Sequence, residues 1–335
     1  MSVADQAAKG LGEFLSQKWG KRVAIENVEL ASAGARRRNV LFDAIAGSER
    51  TPLVATIVPF AAMQLLPIEV EASHLELAEA AGMPVPHLHA VCSDASFVGG
   101  PFFVTTRVAG ETIPRQVLRL VERTPGLGPR LARQCGAALA KLHAADSARA
   151  HPLIARPAGD PLEAALANTR RSLDELLQPS PAFTLGFNWL KRNRPPAPRR
   201  ITVVHGDFRN GNIIVGADGL RASLDWEVCH LGDPMEDCGW VAQRMWRFRN
   251  DSLEIGGFGT RDDFRAGYQD AGGEWDEMRF QWWKAQGTLR WGLGLAGQAK
   301  QHLDGSVPSI VLAASGRRVA ELEYDTLMLL KKAFA

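Results

Sequence analysis

One ordered constellation constrains this chain more than any other feature: His205-Gly206-Asp207-Phe208-Arg209-Asn210-Gly211-Asn212, then Leu224-Asp225-Trp226-Glu227. A short apolar run at 201–204 reads as a strand leading straight into the first block. Runs at 213–215 and 222–224 flank Asp218-Gly219 and read as a small hairpin. Asp207 and Asn212 then share one loop, and the hairpin folds Asp225 back beside Asn212. Taken singly, each of these residues is an ordinary turn former, because Asp and Asn side chains bond nearby backbone. The ordered combination of His-x-Asp-x-x-x-x-Asn, two short apolar strands and a further Asp is far more specific than its parts.

Such a pattern supplies what phosphoryl transfer requires. Little covalent chemistry falls to the protein, which aligns donor and acceptor and neutralises phosphate charge. Asp207 is the candidate base, orienting the proton of an acceptor hydroxyl. The Asn212 amide oxygen and the Asp225 carboxylate are candidate ligands for Mg, a hard cation that prefers oxygen. Arg209 either stabilises charge on the transferred phosphate or makes a substrate contact or a surface salt bridge. His205 reads as a hydrogen-bonding residue that organises the loop, with Gly206 allowing a tight turn. Glu227 faces the substrate, adds a metal contact or is structural. Asp233 and Asp237 cap the following helix or bind loop amides.

Composition excludes several other classes. The 335 residues suffice for one large unit or two lobes. A net charge of +2, from 39 basic and 37 acidic side chains, argues against nucleic acid or a membrane surface as partner. No apolar run approaches the ~20 residues of a membrane span, and no basic-then-apolar signal segment opens the sequence. Cys92, Cys135, Cys229 and Cys238 form no CxxC pair and read as buried thiols rather than a zinc site. A reducing cytoplasm is the expected compartment.

Periodicity predicts a short helix within the first ~25 residues, with Phe14, Leu15 and Trp19 on or near one face. Strands are expected at 28–30, 40–46, 53–58, 85–91 and 101–108. The second and third form a hairpin about Gly47-Ser48-Glu49-Arg50. A helix at 69–81 stops at Gly82 and Pro84. The result is a small antiparallel sheet with one packed helix. Beyond it the chain turns helical: 131–145 carries Leu131, Cys135, Ala138, Leu139 and Leu142 at helical spacing, and the region after 233 is mostly helix. Trp282, Trp283 and Trp291 line an apolar pocket or pack helices together. The expected class is α+β, dividing at 1–108 and 109–335. The apolar C-terminal helices leave monomer and homodimer both open.

On these residues the sequence resembles the aminoglycoside phosphotransferase-like family, a branch of the protein-kinase-like fold. The strongest matches are the 205–212 block and 224–240, including Gly232-Asp233-Pro234. Pro84-Val85-Pro86, Gly100-Pro101-Phe102-Phe103-Val104, Leu142-His143 and Gly316-Arg317-Arg318 look like a broad bacterial phosphotransferase branch. That branch is related to a domain fused to acyl-CoA dehydrogenases, in which hydroxyacyl-CoA compounds are phosphorylated. The resemblance implies a small antiparallel-sheet N-lobe, a larger mainly helical C-lobe, and ATP with Mg in the cleft. It implies that 105–108 is the hinge, where Thr106 and Val108 would meet adenine. It further implies that 31–39, with Gly34, is the nucleotide-covering turn. Glu71 takes the place of the helix glutamate that pairs with a phosphate-binding lysine. The implied acceptor is a small-molecule hydroxyl on a hydroxyacyl thioester, an alcohol metabolite or a sugar-like compound.

At the lysine the chain departs from the family. The strand at 53–58 has no Lys or Arg, and Thr56 falls where the basic residue is expected. The preceding turn carries Arg36, Arg37 and Arg38 instead. These arginines either reach the phosphates in place of the lysine, with Glu71 as partner, or form a solvated cluster. An ATP-dependent small-molecule kinase is therefore set against a catalytically weak pseudokinase that binds a nucleotide or metabolite. A structural adaptor is the third class.

Overall fold

The computed structural model describes residues 3–31, 37–59 and 64–334. Helix α1 (Val3–Trp19) buries Ala7, Leu11, Phe14 and Leu15, a stripe at helical spacing. Strands β1 (Ala24–Leu30), β2 (Arg38–Ala46) and β3 (Glu49–Ile57) follow. β2 and β3 form the expected hairpin, with Ala46 opposite Glu49 and Gly47-Ser48 as its two-residue turn. Gly47 has φ +65°, the left-handed conformation such turns demand.

Helix α2 (Ile68–Ala80) and strands β4 (Leu88–Cys92) and β5 (Phe102–Thr106) complete this half. The sheet is antiparallel in the order β1-β2-β3-β5-β4. One face carries Val40, Phe42, Leu53, Ala55 and Ile57 against α1. On the other side, Ile68 of α2 joins Val58 and Phe103. Further along α2, Leu75, Leu77 and Ala78 pack into the core of the helical half. This one helix therefore links both cores, with Glu71 between its two anchoring ends.

The chain enters the helical half at Gly110-Glu111. Glu111 and Val215 exchange both backbone hydrogen bonds, at 2.8 and 3.0 Å. A Cβ on Gly110, at φ +150°, would lie 2.8 Å from the Val215 carbonyl oxygen, so the close crossing requires glycine. Four helices follow: α3 (Pro114–Arg123), α4 (Leu127–Ala144), α5 (Pro161–Asp174) and α6 (Pro181–Arg192). Strands β6 (Thr202–Val204), β7 (Ile213–Gly216), β8 (Gly219–Ser223) and β9 (His230–Gly232) come next. The last helices are α7 (Met235–Val241), α8 (Arg261–Asp270), α9 (Glu277–Leu303), α10 (Ile310–Gly316) and α11 (Val319–Phe334).

β7 and β8 make the expected hairpin at Ala217-Asp218. β6 pairs with β9, a three-residue strand too short to leave a period in the sequence. Residues 205–229 are thus an excursion whose two ends are tied together at its neck. α4 and α8 cross closely at Gly136 and Gly267, and α9 forms the spine on which α5, α6, α7, α10 and α11 pack. The fold is the two-lobed, mixed α+β kinase-like arrangement. Among the described residues no helix is long and apolar enough to cross a membrane.

Candidate active site

The loop after β6 is held from beneath by one buried carboxylate. Asp237 accepts the amide hydrogens of His205 and Gly206, each at 2.8 Å. It also receives His143 Nε2–H at 3.1 Å, and the Tyr268 hydroxyl donates to the other nitrogen of that ring at 2.9 Å. Burial alone would raise the Asp237 carboxyl. The His143 hydrogen bond, both nearby imidazoles and the Gly206 amide outweigh it and hold the carboxyl below its ordinary value. Asp237 therefore binds loop amides, one of the two roles read from sequence. Arg290 reaches the same loop from α9, donating to the Gly206 carbonyl at 2.8 Å and to Glu236 at 2.9 Å.

His205 organises the loop. Its Nδ1 accepts the Asp207 amide hydrogen at 3.2 Å, so Nε2 carries the proton and donates to the Leu224 carbonyl at 3.1 Å. Burial pushes its pKa down, against the pull of Asp237, Asp207 and Asp225. One imidazole thus ties the loop to the residue preceding Asp225. The link is completed by the Leu224 amide, which donates to the Asn212 carbonyl at 2.8 Å.

Asp207 is fixed by three donors. Oδ1 accepts from Arg209 Nε at 2.9 Å and from Trp240 Nε1 at 2.7 Å, and Oδ2 accepts from Asn212 Nδ2 at 2.7 Å. Arg209 lies over the Trp246 ring, 4.4 Å from its centroid. Its guanidinium pairs with the candidate base, a half-buried salt bridge within the loop and not the surface salt bridge that was one option from sequence. Because the Asn212 amide nitrogen also donates to the Asp207 carbonyl at 3.0 Å, its carbonyl oxygen is turned the other way. Trp240 gave no functional signal in the sequence, where a tryptophan in an apolar helix reads as core.

Asp225 follows β8 with φ +66°, an uncommon conformation for a residue with a side chain. Its Oδ1 is buried without a hydrogen-bond partner among the described residues. Arg37, at the entry to β2, comes within 3.9 Å of that oxygen. The same guanidinium grips Glu71 with both prongs, at 2.6 and 2.8 Å, and donates to Glu227 at 3.1 Å. Burial opposes its charge, but Glu71, Asp225 and Glu227 outweigh that and keep Arg37 protonated. Burial pushes the Glu71 carboxyl up, with Arg37 opposing. Of the two readings of the arginine cluster, Arg37 matches the one in which the side chain enters the cleft and pairs with Glu71.

Gly34 and Arg36 lie outside the described residues. Thr56 lies opposite Asn39 and donates to its side-chain oxygen at 3.0 Å. Thr106 ends β5, its hydroxyl 2.9 Å from His89 Nε2, and Val108 follows on the connection to Gly110. Trp282 is core and donates to the Leu190 carbonyl at 3.0 Å; Trp291 packs on Trp240 and Trp246. Trp283 donates to Asp233 at 2.9 Å and also lines a cavity of about 480 Å³ between α5, α9 and the Glu227–Gly232 stretch. Both roles weighed for the tryptophans are present.

Among the described residues no set of three His, Cys, Asp or Glu side chains converges on a metal position. The candidate oxygen donors are the Asn212 amide and the Asp225 carboxylate, on segments tied together by the Leu224 amide and the Asn212 carbonyl. That donor set fits Mg, which takes one or two protein oxygens and completes its shell with water and phosphate.

A model of the phosphotransferase enzyme family matches residues 27–281. Acyl-CoA dehydrogenase family member 11 of Gallus gallus is 32% identical over 192 residues, covering 55% of this chain and 24% of the relative. The chain therefore spans about a quarter of the length of that relative. A candidate aminoglycoside phosphotransferase of Ralstonia eutropha JMP134 superposes with a TM-score of 0.71 at 21% identity, covering 96% of this chain and 98% of that one. A thermostable mutant of aminoglycoside phosphotransferase APH(4)-Ia, in a ternary complex with AMP-PNP and hygromycin B, gives 0.63 at 16% identity over 94% and 98% of the two chains.

Proposed function

Since the chain belongs to the phosphotransferase enzyme family, we propose that it is a small-molecule kinase using ATP and Mg to phosphorylate an acceptor hydroxyl. The observation that carries this reading is the Asp207 carboxylate, immobilised by Asn212, Arg209 and Trp240, on a loop tied to the residue before Asp225. A carboxylate offers about four lone-pair positions. Three are occupied here, which leaves room for one acceptor hydroxyl. Asp207 then orients that hydroxyl and receives its proton as the new bond forms. Arg209, braced on Trp246, balances the charge of the base and faces the transferred group.

Asn212 and Asp225 would hold Mg, whose charge neutralises the phosphates when it is bound. Arg37 serves as the phosphate cation in place of the absent strand lysine, with Glu71 orienting it as that glutamate would orient a lysine. Gly34 and Arg36 belong to the turn over the nucleotide, Thr56 lines its floor, and Thr106 and Val108 meet the adenine. Residues 1–108 form the lobe that covers the nucleotide, and 109–335 carry the base and the acceptor pocket. Acceptors to test span hydroxyacyl thioesters, alcohols and sugar-like compounds. Hydroxyacyl-CoA compounds come first in that screen.

A second reading, a pseudokinase that binds without turnover, is favoured by the number of carboxylates already gathered on Arg37. Calorimetry of Mg-ATP on the parent and on Asp225→Ala, followed by an acceptor screen, separates the two. Metal-dependent binding lost in the variant, with turnover of any acceptor, supports the kinase. Binding without turnover on the whole screen supports the pseudokinase, and no Mg-nucleotide binding removes the kinase.

A further inference from the structure

The cavity that shares Arg290 with the 205–212 loop has a pattern that bears on the acceptor. One wall is a stripe of α9, Trp283, Gln286, Arg290 and Leu293, at the spacing of one helix face. The facing wall is α5, with Ala165, Asn168 and Thr169. Glu227 and Glu236 also line it, and both are engaged: Glu227 receives Arg37, and Glu236 receives Arg290 and sits 3.1 Å from His230. A polycation entering here would find neither carboxylate free of a cation.

Gln286 stands out on this wall. It is only 4% exposed, and its Oε1 has no hydrogen-bond partner among the described residues. Its Nε2 makes one long contact, 3.4 Å, to the hydroxyl of Thr169, itself only 3% exposed. A buried acceptor left empty is costly, so a ligand donor that reached it would gain a hydrogen bond. The remaining lining of α5 and α9 is substantially apolar.

We infer that Gln286 and Thr169 form a specificity subsite for the acceptor, taking a hydrogen-bond donor at the end of a largely apolar, non-polycationic molecule whose other end presents the reacting hydroxyl to Asp207. This rests on the kinase reading for the identity of the site, but the binding chemistry of the cavity is independent of it. Sites of this kind reject the analogue lacking the donor, because the protein group is then left unpaired.

The test pairs molecules that differ in one donor: 1-hexanol with 1,6-hexanediol, and 1-octanol with 1,8-octanediol. Kanamycin is the polycationic probe. Ligand-observed NMR titrations with and without Mg-AMP-PNP give the affinities. At least one diol binds about tenfold more tightly than its mono-ol. Gln286→Leu and, as a second and nearly isosteric variant, Thr169→Val each reduce that ratio towards one. The inference is overturned if no diol is preferred, if none of the alcohols binds, if the ratio survives in both folded variants, or if kanamycin binds more tightly than every alcohol. Mg-AMP-PNP binding on the same samples keeps the two readings apart. Its loss with the diol preference intact sinks the kinase reading alone, and the reverse result sinks only the subsite.

Discussion

Arg37 and Glu71 form a two-pronged ion pair, at 2.6 and 2.8 Å, between the strand entry before β2 and the first turn of α2. The glutamate is almost wholly buried, and a second carboxylate, Glu227, joins from the other half of the molecule. Removing the guanidinium would leave Glu71 as an uncompensated buried charge, at a cost of about 3 kcal/mol. Arg37→Ala is therefore expected to lower the urea midpoint markedly and to weaken Mg-ATP binding at least about tenfold. Adding Thr56→Lys to it should recover part of the nucleotide affinity. Calorimetry showing no recovery in a folded double variant would argue that the cation is not interchangeable between turn and strand.

Asp207→Asn keeps the shape of the base and removes its proton affinity. Turnover on the best acceptor should fall by about 10²–10⁴, while Mg-ATP affinity changes little. Asp225→Ala should do the opposite, weakening Mg-nucleotide binding first. A steady-state comparison of kcat with the calorimetric Kd separates the two roles.

Trp240→Phe retains the ring and deletes the donor 2.7 Å from Asp207 Oδ1. The expected effect is a loss of about tenfold in kcat with little change in acceptor KM. A change in KM alone would assign Trp240 to packing around the acceptor rather than to positioning the base.

His230 gives the molecule a pH signature. Its two ring nitrogens face the Val228 carbonyl and the Glu236 carboxylate, both acceptors, so the doubly protonated ring satisfies both. Burial opposes the charge, but Glu236 wins and the pKa lies above its ordinary 6.5. A raised folded value stabilises the fold fully below 6.5 and loses that contribution as pH rises through it. The melting temperature should therefore decline from slightly acidic to mildly alkaline pH, and His230→Gln should flatten that decline. A slope identical in parent and variant would assign the pH response to other groups.

A Cβ at Gly136 would stand 2.1 Å from the Phe264 carbonyl oxygen, where α4 crosses α8. Gly136→Ala should cost about 2 kcal/mol through overpacking, read as a lower urea midpoint. Mg-ATP affinity of the folded fraction should be retained.

Much of this centre was legible before any coordinates. The His205–Asn212 block, the hairpin and Asp225 are separated by short, fixed chain lengths, so local geometry alone brings them together. The N-terminal sheet was legible because its strands are apolar, β-rich runs and the turn between the second and third carries glycine. The pairing of Arg37 with Glu71 could be raised only as one of two options, because three adjacent arginines look alike in sequence and only packing chooses among them. Trp240 and Gln286 gave no signal, since each sits in a helix stripe where the period marks burial but not bonding. β9 was missed because three residues carry no measurable alternation, yet its pairing with β6 closes the neck of the whole excursion.

The relay from Tyr268 through His143 to Asp237 ends on the amides of His205 and Gly206. It makes the register of three helices, α8, α4 and α7, part of what positions Asp207, the proposed base. A change on α8, remote in sequence from the 205–212 loop, can shift that loop without altering any residue in it. Directed evolution of this scaffold should therefore find rate-changing substitutions at the α4–α8 crossing as well as in the acceptor cavity.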